Sequence, residues 1–364
     1  MEHFSPNILL DIFCMVAVVI VALYNLFCME KGKKGTGFVF FVVFILLFSL
    51  FYRPADGDFW GYLSLYEEGR DSPYVLHMEN FYYLLIDIIP NNYLLWRVSV
   101  WLPAAILIAL MYKKMSIASN NATAVFLAIA LIQSFYYLRN VLGFAVLGIA
   151  LVLYCSHNKI FKKPLYVLLF LILIVASSFL HRSMPLYIAF ALIAIVVPLN
   201  RNYILASIIL LPVLYSIITL VASYILDIAV IWAEAGNGEH YLETGNTFTM
   251  NWKGFVDLAI KYIPIIYFYY IAFTKPLSED NSDYKYYKVF LLFAFFVFYL
   301  SVLFYGHGSD ALQDRFYKTS MFPLAFAISL YFKNNLHTKR CNTFIYLMFF
   351  GFVWNFLLMF FKSV

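Results

Sequence analysis

Long apolar stretches separated by short polar segments recur along nearly the whole chain. Most of them run for about 20 residues, the length that a helix needs to cross a hydrocarbon core of roughly 30 Å. Because lipid offers no hydrogen-bond partners to the backbone, such stretches must be helical. The pattern predicts an all-α, polytopic integral membrane protein whose single transmembrane domain covers residues 1–364 and has about twelve transmembrane helices. The predicted spans are 8–29, 37–52, 93–112, 121–138, 140–156, 164–180, 183–199, 203–232, 254–274, 287–305, 316–332 and 341–361.

Two larger loops separate these spans, at residues 53–92 and 233–253. The first loop includes the apolar piece "FYYLLIDII" (81–89), which is too short to cross a membrane. We expect it to form a helix that lies at the interface or dips into the bilayer and returns. The second loop, "AEAGNGEHYLETGNTFTMNW", is rich in Gly and Asn, and this composition suits a mobile lid that contacts sugars.

Composition supports the membrane class. The chain is 64% hydrophobic and only 12% charged, with a mean hydropathy of +0.81, whereas a soluble domain is about half apolar and a quarter charged. The net charge of +5 follows the predicted topology and forms no nucleic-acid patch.

The lysines and arginines divide between the two predicted sides. The side that holds most of the short basic loops carries 13 Lys and 2 Arg, which makes it cytoplasmic by the positive-inside rule. The other side carries four Lys and six of the eight Arg, against that rule. The planar fork of arginine suits bidentate binding of phosphate or carboxylate better than the point charge of lysine does. We therefore expect the functional face, with loops 53–92 and 233–253, to be extracytoplasmic.

No pattern indicates a metal or a cofactor. The four cysteines (14, 28, 155 and 341) lie in or at the ends of predicted spans, and the chain contains no CxxC, HExxH, P-loop or GxGxxG motif.

The first outer loop carries the densest polar chemistry. In "YRPADGDFWGYLSLYEEGR", Asp58, Tyr62 and Tyr66 are spaced four apart and would share one face of a helix, with Asp56 in the turn before it. Glu79 follows, just ahead of the aromatic "NFYYLL" segment. The alternative interpretation is a solvated loop with an N-cap aspartate and an interfacial aromatic belt.

Two further groups of residues lie at predicted outer span ends. Arg139, Arg182 and Arg315 each stand at the end of an apolar run, where they could hold an anionic group or only snorkel to the interface. His181, beside Arg182 in "FLHRSMP", is a candidate proton acceptor because its unperturbed pKa lies near neutrality. Asp58 and Glu79 are rival candidates for that role.

Several of these stretches resemble one family. The Asp58-x3-Tyr62-x3-Tyr66 spacing, Glu79 before an aromatic run, "LRNVLGFA" (138–145), "FLHRSMP" (179–185) and "DRFYKTSMF" (314–322) are similar to the EpsG-like branch of the Wzy-type polysaccharide polymerases. Each motif alone is weak, but they occur in the family's order along the chain. Arg182 is an addition that the family pattern does not require.

The resemblance implies a GT-C-like membrane glycosyltransferase in the bacterial cytoplasmic membrane that makes O-antigen, capsule or exopolysaccharide. It would join oligosaccharide repeat units carried on undecaprenyl pyrophosphate at the outer face, release undecaprenyl pyrophosphate, and need no metal or other cofactor. The implied partners are that lipid-linked substrate, membrane lipids and, in some systems, a chain-length regulator. In this interpretation three arginines bind pyrophosphate: Arg139, Arg182 and Arg315. Four other side chains contact sugar: Tyr62, Tyr66, Asp56 and Asp310.

Two other classes fit part of the pattern. A flippase or another transporter of lipid-linked oligosaccharides would also have twelve spans, but would place charges or broken helices near the bilayer midplane. We expect the spans to lack interior Lys or Arg, which argues against a transporter. A membrane O-acyltransferase would take its donor from the cytoplasmic side, which the outer arginines disfavour.

Overall fold

The structure of the protein is a computed structural model that describes residues 8–53, 58–68, 79–89, 92–135, 138–157, 163–217, 252–304, 310–336, 338–339, 341–348 and 350–351. Within these ranges the regular structure is entirely helical, with no strand. The predicted all-α class is therefore confirmed for the described part of the chain. Position 56 and residues 233–251 of the second loop lie outside it.

Fourteen α-helices follow one another in the described ranges, and a further helical segment covers residues 341–348. The fourteen are α1 Ile8–Glu30, α2 Phe38–Phe51, α3 Asp58–Glu68, α4 Asn80–Ile88, α5 Tyr93–Lys114, α6 Ser119–Phe126, α7 Ile132–Phe135, α8 Leu138–Ser156, α9 Pro164–Leu180, α10 Met184–Val196, α11 Asn202–Ile217, α12 Trp252–Thr274, α13 Tyr284–Leu303 and α14 Asp310–Asn335. A π-helical turn, Leu127–Leu131, joins α6 to α7.

The helices indicate a membrane-embedded protein. Four of them are long and apolar enough to cross a bilayer, namely Leu9–Glu30, Tyr93–Lys114, Leu138–Ser156 and Tyr284–Leu303, and five shorter apolar helices accompany them. Every predicted span coincides at least in part with a helix. The total of twelve spans stays a prediction, because spans 203–232 and 341–361 run beyond the described residues.

The two short helices of the first loop form as expected. α4 is nine residues long, too short to cross a membrane. α3 brings Tyr62 and Tyr66 onto one side, where both rings pack against Trp96 of α5 with ring-centroid distances of 6.0 and 6.3 Å. The predicted shared face of this helix is confirmed for the two tyrosines.

The centre of the bundle is formed by α8, which packs against α5, α9 and α10, and by the α13–α14 pair. A Cβ at Gly143 of α8 would lie 2.9 Å from the sulfur of Met184, so glycine allows α8 and α10 to approach closely. The ring of Phe144 contacts Tyr187 of α10 at 4.8 Å and Phe322 of α14 at 5.5 Å. These contacts fix the second turn of α8 beside α10 and α14.

Lysines bind helix ends on the side that the sequence analysis predicts to be cytoplasmic. Lys288 donates to the carbonyls of Ile195 and Val197, at 2.9 and 3.0 Å, where α10 ends. Lys333 pairs with Asp283 at 2.9 Å. Cations are favourable at helix C-termini because unpaired carbonyls accumulate there.

One lysine falls inside a predicted span. Lys261, in the predicted span 254–274, is the tenth residue of α12 and the third residue of its apolar stretch Ala259–Thr274. It therefore lies close to the start of that stretch, and the absence of Lys and Arg from the interior of the spans stays a prediction.

Candidate functional site

Glu79 is the centre of a polar cluster at one end of the bundle. One carboxylate oxygen accepts from Nη1 of Arg139 at 3.1 Å. The other accepts from the backbone N–H of Arg182 at 3.0 Å and lies 3.5 Å from Nδ1 of His181. The exposed fractions of the side chains are only 9% for Glu79, 15% for Arg139 and 12% for His181, so water screens these contacts weakly.

Three separate parts of the chain supply this cluster. Glu79 is the N-cap of α4, Arg139 lies in the first turn of α8, and His181 and Arg182 form the short link between α9 and α10. The carboxylate therefore lies just ahead of the N-terminus of α10, where unpaired N–H groups and the helix dipole favour an anion.

Arg139 is held on more than one side. Its Nε donates to the hydroxyl of Tyr62 at 3.0 Å, and its guanidinium carbon lies 5.4 Å from the centre of that ring. Its backbone carbonyl accepts from the hydroxyl of Tyr82 at 2.9 Å. The rings of Tyr62 and Tyr82 both pack on Trp96. This aromatic support fixes the plane of the guanidinium.

The surroundings of His181 favour its neutral form. Burial lowers its pKa well below the usual value of 6.5, and the positive charges of Arg139, Arg315 and Arg182 lower it further. At neutral pH the 3.5 Å approach of Nδ1 to Glu79 is therefore a contact between a neutral imidazole and a carboxylate rather than an ion pair.

The two neighbours of Nδ1 on His181 require different tautomers. The backbone N–H of Ser183 points at Nδ1 from 3.1 Å, which needs a lone pair there and leaves the proton on Nε2. Glu79 at 3.5 Å needs a proton on Nδ1, which frees the lone pair of Nε2. Only the second tautomer can accept a proton at Nε2.

Arg315 approaches the cluster from α14, and its charge acts on His181 and on the hydroxyl of Tyr187. Its carbonyl accepts from the hydroxyl of Thr319 at 2.8 Å, and that hydroxyl lies 3.2 Å from the hydroxyl of Tyr187. The neighbouring Asp314 pairs with Lys318.

The structure thus brings together five of the residues predicted from the sequence: Tyr62, Glu79, Arg139, His181 and Arg182. Arg182 takes part through its backbone N–H.

The remaining predicted residues have other positions. The side chain of Arg182 is exposed. Tyr66 is buried, and its hydroxyl bonds the backbone of Ile89 and Asn92, so it joins α3 to the α4–α5 link rather than to the cluster. Asp58 and Asp310 begin α3 and α14, but their side chains lie outside the described part.

A second polar cluster was missed by the sequence analysis. Asp11 in the first turn of α1 accepts from the backbone N–H of Arg53 at 2.6 Å. Arg97 of α5, only 4% exposed, donates to the carbonyl of Tyr52 at 3.1 Å, and its charge acts on Asp11. The sequence feature that could have revealed this cluster is the acidic residue at the fourth position of the first apolar run, Asp11. This cluster joins the ends of α1, α2 and α5.

The described residues contain no group of three or more His, Cys, Asp or Glu side chains placed to hold a metal ion. The four cysteines are all free and buried. Comparison with protein-family models, curated proteins and solved structures gives no match to this chain.

Proposed function

We propose that the protein is a GT-C-like membrane glycosyltransferase that polymerises oligosaccharide repeat units carried on undecaprenyl pyrophosphate. The observation that carries the proposal is the meeting of Arg139, Glu79 and His181 at one end of the bundle, within the electrostatic reach of Arg315. The family resemblance of the sequence stretches that supply these residues supports the same function. The site would face the outside of the bacterial cytoplasmic membrane, as the lysine distribution predicts.

The arginines would stabilise the leaving group. When the anomeric C–O bond to pyrophosphate breaks, negative charge accumulates on the phosphate oxygens. A guanidinium that is already held in place stabilises that charge without reorganising during the reaction. Tyr62 and Glu79 hold Arg139 in this way, and the exposed Arg182 would meet the phosphates from the aqueous side.

His181 would accept the proton. The hydroxyl oxygen of the acceptor sugar forms the new bond to the anomeric carbon, the bond to pyrophosphate breaks, and the hydroxyl proton moves to Nε2. The lowered pKa keeps His181 neutral and able to accept it. This role requires the tautomer with the proton on Nδ1, in which Glu79 would accept from Nδ1 in place of the contact that the backbone N–H of Ser183 makes there. Asp58 and Glu79 remain rival candidates for the base, and Tyr62, Tyr66, Asp56 and Asp310 for sugar binding.

A second candidate function is transport of the same lipid-linked oligosaccharide. Lys261, which lies inside a predicted span although near the start of its apolar stretch, is the observation in its favour, because transporters place ionisable groups within spans. A transporter would move the substrate across a bilayer without changing its length.

One experiment separates the two functions. Purified protein is incubated with a synthetic undecaprenyl-pyrophosphate-linked repeat unit, with EDTA and without nucleotides, and the products are separated by length. A polymerase gives a ladder of products, and His181→Ala should bind the substrate but extend it little or not at all. A general base contributes about a hundred- to ten-thousand-fold in rate, and glutamine cannot replace it, so His181→Gln should also fail.

An inactive wild-type protein that moves the repeat unit across a liposome bilayer would refute the polymerase and support the transporter. A ladder of normal rate from His181→Ala would keep the polymerase but place the base elsewhere, at Asp58 and then Glu79. Loss of binding together with activity would make His181 a substrate-holding residue.

A further inference from the structure

Three lysines, which we call the lysine cluster, lie around the C-terminal end of α8. Lys163 directly precedes α9, and Lys285 and Lys288 lie in the first two turns of α13, where a spacing of three places them on one face. Lys163 is exposed, and the other two are half-buried. None of the three forms an ion pair with a carboxylate that the structure describes, whereas Lys318 and Lys333 do.

Two members of the lysine cluster are held in place by helix ends. Nζ of Lys285 donates to the carbonyl of Tyr154 at 2.9 Å and lies 4.1 Å from the centre of that ring. Lys288 donates to the carbonyls of Ile195 and Val197, at 2.9 and 3.0 Å. The two ammonium groups therefore join the ends of α8 and α10 to the start of α13.

Lys163 belongs to the same surface through two tyrosines. Its Nζ lies 5.4 Å from the ring centre of Tyr166. The rings of Tyr166 and Tyr154 pack in one small apolar cluster around Ala150 and Phe170. In membrane proteins tyrosine is enriched at the level of the lipid head groups, and lysine on the cytoplasmic side. The surface therefore has the composition of a head-group contact.

The positive charge of the lysine cluster is not balanced by the described carboxylates. The sequence has no Asp or Glu at all from residue 88 to residue 226, the stretch that supplies α5 to α11. Asp283, two residues before Lys285, is paired with Lys333. Lys285 acts on Lys288 with a like charge, and no carboxylate of the described residues acts on either. Water screens such repulsion but supplies no counter-charge, so an anion from outside the chain would be favourable here.

The apolar surroundings of the cluster point to a lipid as the source of that anion. Leu165, at the start of α9, and Val196, at the end of α10, are 72% and 80% exposed. Exposed apolar surface of this kind in a membrane-embedded protein contacts acyl chains. An anion at the lysines would thus have apolar surface directly beside it, as the phosphate of a phospholipid requires.

We propose that the lysine cluster binds the head-group phosphate of an anionic phospholipid in the leaflet that the sequence analysis predicts to be cytoplasmic. Lys285 and Lys288 would share the phosphate, Lys163 would contact it from the exposed side, and the acyl chains would lie along α9 and α10. Basic groups between transmembrane helices on the cytoplasmic side recognise such head groups. The bound lipid would offset the repulsion between the lysines and hold α8, α10 and α13 together. This inference goes beyond the proposed function and does not depend on it.

Competition between two lipids tests the proposal. The purified full-length protein is mixed in detergent with equal amounts of phosphatidylglycerol and phosphatidylcholine that carry the same acyl chains, and the lipids retained are counted by native mass spectrometry. Wild type should prefer phosphatidylglycerol, which should also raise its unfolding temperature more. A basic side chain at the membrane surface contributes about a fivefold preference, so Lys285→Gln and Lys288→Gln should each lose about that factor. Glutamine keeps an N–H donor for the helix-end carbonyls, and Lys288→Arg should keep the preference.

Two further variants separate the site from general surface charge and from folding. Lys163→Gln changes an exposed side chain, so it should fold normally and still lose about a fivefold preference. Lys31→Gln is the matched control, because Lys31 is also exposed on the predicted cytoplasmic side and lies 5.9 Å from an aromatic ring centre, that of Phe27, but at the end of α1. It should leave the lipid preference nearly unchanged.

Four results would overturn the inference. Equal retention of both lipids by wild type would exclude selectivity for an anionic head group. A preference that survives the combined replacement of all three lysines would place the site elsewhere, and an equal loss from Lys31→Gln would reduce it to general surface charge. Inorganic phosphate that raises the unfolding temperature as much as phosphatidylglycerol does would make the ligand a soluble anion. The lipid-linked repeat unit is absent from every arm, so these outcomes are independent of the polymerase proposal.

Discussion

The ion pair between Glu79 and Arg139 predicts strong coupling between the two residues. We consider the double-mutant cycle made of Glu79→Gln, Arg139→Gln and the combined variant. Each single change leaves the other charge at a poorly hydrated position without its counterion. The combined variant has no charge there, and two amides can bond each other in nearly the same space.

The size of the coupling follows from the geometry. The Nη1–Oε2 distance is 3.1 Å, and the side chains are 15% and 9% exposed. Hydrogen bonds to charged groups contribute about 1.5–3 kcal/mol, and breaking a fully buried pair from one side costs about 3–5 kcal/mol. Because this pair keeps slight exposure, we expect a coupling energy of about 1.5–3 kcal/mol, which corresponds to roughly a ten- to hundredfold effect.

The cycle is measured in two ways. The free energy of unfolding is obtained by titration with a denaturing detergent, and kcat/KM is obtained from the product ladder. The control cycle uses Asp283→Asn and Lys333→Gln, a pair at the other end of the bundle with a 2.9 Å contact and exposed fractions of 9% and 29%. The control should show coupling in unfolding but should not change the rate of polymerisation.

Two results would refute the reasoning. Additive effects on unfolding, with a coupling energy below about 0.5 kcal/mol, would mean that the pair does not hold the site together. A further loss of about a hundredfold or more in rate when Glu79→Gln is added to Arg139→Gln would show that Glu79 acts by itself as the proton acceptor.

Three other predictions follow from the structure. Arg139→Lys should lose most polymerisation despite keeping its charge, because the fork that bonds two partners is gone; Arg97→Lys is the control, and near-native polymer from Arg139→Lys would indicate simple snorkelling. If neutral His181 is the base, its lowered pKa means that the rate should stay constant from pH 8 down to 6.5 and fall only at lower pH; a rate–pH profile with half of the activity lost at pH 6.5 or above would contradict this. In intact cells, a membrane-impermeant maleimide should label His240→Cys but not Asp280→Cys, since the native cysteines are buried; the reverse pattern would invert the topology and refute the mechanism.

The sequence by itself determined the class of the protein and the places of its helices. The length and hydropathy of an apolar run are properties of neighbouring residues, and the lipid environment leaves a helix as the conformation that satisfies such a run. The amphipathic spacing of Tyr62 and Tyr66 is equally local, and so α3 could be predicted with its shared aromatic face. The same local rules also picked out Glu79, Arg139 and His181 as candidates.

Only the tertiary structure decided which of these groups meet. Contacts between them depend on how each helix is rotated about its axis and which helices pack together, and hydropathy does not encode either property. Glu79 therefore bonds both Arg139 and the start of α10, whereas Tyr66 turns into the protein to join α3 to α5. The lysine cluster has the same cause, because hydropathy and charge placed its members on one predicted side, but only the packing of α13 against α8 and α10 brings Lys285 and Lys288 to the ends of those helices.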